Sequence, residues 1–136
     1  MLGFKLNLAI YKYRGDRKQR LKEIWASLNV TPSQYFIDFY ENYCGPFSSN
    51  DNGFELADIV EDESIVTLTE QSRIHHLFPE IFLTLSPLLG GSVLVYNSVT
   101  DEVFNVDFEG GDQELLNSSL KPTWASFEAF IRSYFS

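Results

Sequence analysis

The sequence holds a single cysteine, Cys44, so no disulfide can close within the chain, and a reducing compartment, the cytoplasm, is the expected location. No apolar run is long enough to span a bilayer, which argues against a membrane partner. The opening segment, MLGFKLNLAIYKYRGDRKQR, lacks both a long apolar centre and a small-residue cleavage site, and so does not read as a signal peptide. Internal repeats and low-complexity tracts are missing, which excludes solenoids and leaves no long linker. Basic residues are scarce: ten Lys and Arg stand against nineteen Asp and Glu, for a net charge of −9. Such a surface repels phosphate backbones and excludes nucleic acid as the expected ligand.

What is present points to one packed domain. The 136 residues are 44% hydrophobic and 15% aromatic, too apolar for disorder and enough for a core without staples. Charge divides the chain unevenly. Residues 1–24 carry seven basic and two acidic residues, a net +5, and read as a basic N-terminal extension. Residues 25–136 carry three basic and seventeen acidic residues, a net −14, and read as an acidic body. Acidity of this size keeps a protein soluble, and it also speeds encounter with a basic protein.

Periodicity gives the elements. Phe4, Leu6, Leu8 and Ile10 alternate as in a strand, although Phe4, Leu8 and Tyr11 also fit a helix. Leu21, Ile24, Trp25 and Leu28 recur at helical spacing behind Asp16, a candidate cap. Thr31 and Pro32 open a second helix whose Tyr35, Phe36, Phe39, Tyr40 and Tyr43 form an aromatic stripe, closed by Gly45-Pro46. FELADIVEDESIVTL has strand-like apolar pieces around an acidic knot, and TEQSRIHHLFP suits a short helix. IFLTLS, SVLVYN and EVFNVDF read as three successive strands, the last two joined by a hairpin. TWASFEAFIRSYF then places Trp124, Phe127, Phe130, Ile131, Tyr134 and Phe135 on one face of a closing helix capped by Thr123. Helices, then a meander, then a helix predict an α+β fold: a small, largely antiparallel sheet flanked by helices. Trp25, Phe36, Phe39, Tyr96, Phe104, Phe127 and Phe130 are the expected core.

No motif supports catalysis. Gly90-Gly91 precede a strand rather than a helix and lack a following lysine and hydroxyl residue, so they make a turn and not a phosphate loop. A calcium register through Ser48 and Gly53 puts Ile59 where a bidentate carboxylate is required. His75 and His76, adjacent on a helix, point about 100° apart and would not converge on one ion. Cys44 has no histidine partner in view and reads as a buried, inert thiol. No cofactor, metal or catalytic residue is expected.

The order of these features resembles the SUKH superfamily, which includes a fungal cell-wall-synthesis regulator and many bacterial toxin-immunity proteins. The resemblance runs from about Ile24 to the C-terminus. It is carried by the proline-led helix VTPSQYFIDFYENYCG, the passage NGFELADI, the paired strands LLGGSVLVYNSVTDEVFNVDF and the closing PTWASFEAFIRSYF. It implies a non-catalytic domain that binds another protein. In the immunity branch that partner is a secreted toxin, often a nuclease, whose basic substrate groove an array of carboxylates can occupy. The alternative is a regulatory or scaffolding domain without a toxin partner. Two acidic clusters are dense enough to meet a basic partner: Asp58, Glu61, Asp62 and Glu63, and Asp101, Glu102, Asp107 and Glu109. If Phe104, Val106 and Phe108 pack inward, then Val103, Asn105, Asp107 and Glu109 project from the opposite face.

Overall fold

The computed structural model describes residues 11–13, 15–49, 53–59 and 64–136. Among them are five helices and one three-stranded sheet: α1 (Lys18–Leu28), α2 (Gln34–Asn42), α3 (Ile65–His75), β1 (Phe82–Thr84), β2 (Ser92–Asn97), β3 (Val103–Asp107), α4 (Gly111–Leu116) and α5 (Phe127–Tyr134). The strands run in the order β1-β2-β3, each antiparallel to its neighbour. The fold is a small α+β domain. The segment Phe4–Ile10 lies outside the described residues.

In α1 the residues at helical spacing, Leu21, Ile24, Trp25 and Leu28, are the buried ones. The lysines and arginines occupy its outer face, so part of the stretch read as an extension packs into the body of the domain. Asp16 accepts a hydrogen bond from the Lys18 N–H at 3.0 Å, but the cap position itself is Arg17. The helix stops at Asn29, which takes the left-handed conformation and hands its N–H to the Ala26 carbonyl.

Two other caps differ from expectation, and in both a serine replaces a nearby threonine. Ser33, not Thr31, caps α2. Its Oγ accepts from the Phe36 N–H at 3.2 Å, and its own N–H donates to the Tyr96 hydroxyl at 3.2 Å. Ser126, not Thr123, caps α5 through the Ala129 N–H. Thr123 and Trp124 instead pair with β3: Trp124 exchanges backbone hydrogen bonds with Val103, and the Thr123 hydroxyl accepts from the Asn105 N–H at 2.9 Å. The IVTL segment read as strand-like begins α3, capped by Ser64. This helix is weakly amphipathic because its buried face includes hydroxyls. Thr69 accepts from the Thr84 N–H and Ser72 bonds the Thr84 hydroxyl at 2.7 Å, so α3 fastens to the edge strand by polar contacts.

The sheet is covered on both faces. Leu83, Leu94, Tyr96 and Val103 join the large core formed with α1, α2 and α5. Phe82, Val93, Val95, Phe104 and Val106 alternate to the other side and meet Phe78 and Leu115 in a smaller core. All seven aromatics expected in the core are buried, with Phe104 in the smaller cluster. Val103 is also buried, against expectation, because α5 and its approach cover that face. Only Asn105 and Asp107 of β3 reach solvent.

Buried phenols tie the large core to the backbone. The Tyr134 hydroxyl lies 2.6 Å from the Phe54 carbonyl and accepts from the Leu56 N–H at 3.2 Å. Burial pushes its pKa up to about 12, and burial also raises Tyr40 well above the usual phenol range. A raised phenol pKa means the folded state keeps its protons when the unfolded chain has lost them. Stability is therefore full below about pH 10, the ordinary tyrosine value, and falls as pH rises from there towards 12. The urea midpoint should be lower at pH 11 than at pH 9, and Tyr134→Phe should reduce that difference.

Candidate functional site

The structure separates the acidic candidates. Asp58 is buried, 4% exposed, and its carboxylate pairs with Arg17 at 3.2 Å. Arg17 donates further to the Tyr40 and Tyr43 carbonyls, each at 2.7 Å, while its guanidinium sits 4.7 Å from the centre of the Tyr13 ring. Asp58 is thus part of the interior and not of a binding surface. Glu61, Asp62 and Glu63 lie outside the described residues.

Asp101 is likewise occupied. In the left-handed conformation at the hairpin turn, it accepts from the Tyr96 hydroxyl at 2.8 Å and from the Phe127 N–H at 3.4 Å. Its carboxylate therefore joins the β2–β3 hairpin to the start of α5. Glu102 is half-buried and accepts from the Thr100 hydroxyl at 2.7 Å. Neither is a freely projecting charge. They stand at one end of β3 and Asp107 at the other, roughly 17 Å away along an extended strand.

Asp107 and Glu109 are exposed, as expected. Asp107 also organises its surroundings: one oxygen accepts from the Glu109 N–H at 3.0 Å and from the Gly111 N–H at 3.1 Å. This bond holds the turn that starts α4, whose N-cap, Gly110, has φ 136°, a conformation strained for any side chain. The turn brings in two carboxylates that the sequence reading missed, Asp112 and Glu114, in the first turn of α4. The signal was there in outline: an aspartate followed by Gly-Gly and an acidic first turn is a helix start. Four carboxylates thus fall within eight residues, and from Asp101 to Leu120 the chain has six acids and no Lys or Arg. None of Asp107, Glu109, Asp112 and Glu114 belongs to an ion pair among the described residues. The arrangement is an acidic corner with a fixed backbone.

Between α3 and the β1–β2 connection is an open, mainly apolar groove of about 630 Å³. Leu68, Val93 and Phe108 line it together with Pro87 and Leu88. His75 and His76 both border it, with the His76 ring 4.5 Å from that of Phe108. Among the described residues, no three His, Cys, Asp or Glu side chains gather where they could hold a metal ion. Cys44 is half-buried rather than buried, since it leaves α2 at the chain's surface turn, and its N–H donates to the Tyr11 carbonyl at 2.7 Å. No helix among the described residues is long and apolar enough to cross a membrane. No protein-family model matches the chain, and no curated protein matches it.

Proposed function

We propose that the chain is a non-catalytic, SUKH-like immunity protein of the bacterial cytoplasm that neutralises a basic toxin domain by direct binding. The observation that carries the reading is the acidic corner: Asp107, Glu109, Asp112 and Glu114 lie close in the chain, next to no basic residue, on a turn held by hydrogen bonds. A toxin that cleaves nucleic acid must present cations to attract phosphate. Carboxylates set on a firm backbone can take the place of phosphates there without ordering themselves at the moment of binding. The same charge keeps the protein itself away from nucleic acid.

Charge reversal tests the reading, provided the variant leaves α4 intact. Asp107 is unsuitable because its loss would also release the turn. Glu109→Lys with Glu114→Lys leaves the hydrogen bonds of the turn in place and gives up only a favourable charge in the first turn of α4. Against the basic partner protein, the pair should slow association about tenfold or more at low ionic strength and flatten its salt dependence, with the thermal midpoint lowered only slightly. Wild-type association rate and salt slope in the double variant would refute the assignment of this corner.

A further inference from the structure

The helix α3 is held to the domain differently from its neighbours. Helices α1, α2 and α5 each bury three or four large apolar side chains, whereas α3 buries Ile65 alone, with Thr69 and Ser72. Ile65 at its start and Phe78 just past its end are apolar anchors, and between them no apolar side chain is buried. Val66 and Leu68 are half-buried, while Ile74 and Leu77 face solvent. What fastens the helix between the anchors is polar. The Thr69 hydroxyl accepts from the Thr84 N–H at 3.0 Å, and the Ser72 and Thr84 hydroxyls bond at 2.7 Å. Arg73 donates to the Leu28 and Glu80 carbonyls at 2.7 and 2.8 Å, but its Nε is buried with no hydrogen-bond partner among the described residues.

Hydroxyl and guanidinium bonds exchange for bonds to water, so they resist opening far less than buried apolar surface does. Opening would also hydrate the unpaired Arg73 Nε. The helix is closed at both ends by its own residues: Ser64 accepts from the Thr67 N–H, and the Ser72 carbonyl accepts from the His76 and Phe78 N–H groups. It can therefore come away as a helix. We infer that α3 is a detachable cover on the sheet, leaving β1 as one unit between Ile65 and Phe78 while the large core stays folded. Strand β1 is at the sheet edge, and its Thr84 N–H is satisfied by a side chain of α3 and not by another strand. Release of α3 bares that edge, the form in which a strand pairs with another chain. It also removes one wall of the groove, since Leu68, Ser72 and His75 line it. The device goes beyond the toxin reading and holds whatever the partner is.

Native-state amide hydrogen exchange on the full chain, at urea concentrations below the unfolding transition, tests the cover. The amides of Gln71, Ser72 and Arg73 should exchange together with that of Thr84, at least about a hundredfold faster than those of Tyr40, Val95 and Ile131. Their rates should depend only weakly on urea, because opening exposes little surface. Thr69→Val, which keeps the shape but leaves the Thr84 N–H unpaired, should speed the α3 and Thr84 amides about tenfold. Ser72→Ala, which removes the bond to the Thr84 hydroxyl, should speed the same amides. Phe127→Leu, which weakens the large core, should speed Tyr40, Val95 and Ile131 and leave α3 and Thr84 at wild-type rates. Equal protection of α3 and the core, or α3 rates that rise with the core in Phe127→Leu, would overturn the inference, since α3 would then open only when the domain unfolds. Fast exchange in α3 with Thr84 still protected would also overturn it, as a helix fraying in place on the strand. So would an unchanged Thr84 rate in both hydroxyl variants.

Discussion

Phe127→Ala should lower the unfolding free energy by about 3–5 kcal/mol, the range for losing a fully buried aromatic ring. Phe127 opens α5 and is wholly buried, with ring centres of Phe36, Tyr96, Phe39 and Phe130 between 4.6 and 5.9 Å away. These neighbours come from α2, β2 and α5, so the ring is where three elements meet. The cavity left behind would not collapse easily. Tyr96 is held by its hydroxyl to Ser33 and Asp101, and the α5 backbone at Phe127 is held by the same Asp101. Phe127→Leu, which refills part of the space, should cost less. Urea denaturation with an unchanged slope is the measurement. A loss well under about 1 kcal/mol for the alanine variant would mean that the aromatic cluster does not form this core.

Arg17→Ala should have an effect of similar size for a different reason. It would strand the Asp58 carboxylate in the interior and remove the donor to the Tyr40 and Tyr43 carbonyls. Removing one partner of a buried ion pair typically costs about 3–5 kcal/mol, most of it from the charge left uncompensated. Asp58→Asn should cost less, because Arg17 keeps both carbonyls and the amide oxygen can still accept. The pair should also couple: Arg17→Met combined with Asp58→Leu should be distinctly more stable than the sum of the single losses predicts. A double-mutant cycle by denaturation checks this. Strict additivity would show that the two charges do not depend on each other.

This ion pair also marks what could not be read locally. Arg17 and Asp58 are separated by 41 residues, and no window along the chain links a basic face of α1 to an acidic stretch after the second loop. Along the chain Asp58 groups with its neighbours Glu61, Asp62 and Glu63 as surface charge. Asp101 is the same case: a turn aspartate in sequence, it becomes a connector only when α5 presents the Phe127 N–H to it. The core was legible because aromatic residues at helical spacing in α2 and α5 and alternating ones in β2 leave few ways to bury so much ring surface. The Gly90-Gly91 turn was legible because two successive left-handed residues are least strained as glycines. By contrast α4 has six residues, too few for a periodic signal, and depends on one carboxylate, Asp107, for its start. With it went half of the acidic corner, Asp112 and Glu114. Val103 does project opposite Phe104 and Val106, as alternation along β3 requires, but it is buried because packing covers both faces of the sheet there.

The most direct test of a basic protein partner is affinity capture from the native organism on two columns. One carries the wild-type chain and the other the Glu109→Lys, Glu114→Lys variant, and both are eluted with a salt gradient. The expected result is a basic protein retained by the wild type, released as ionic strength rises, and absent or much reduced on the variant. Retention of the same proteins on both columns at the same salt, or of acidic proteins only, would contradict the proposed function.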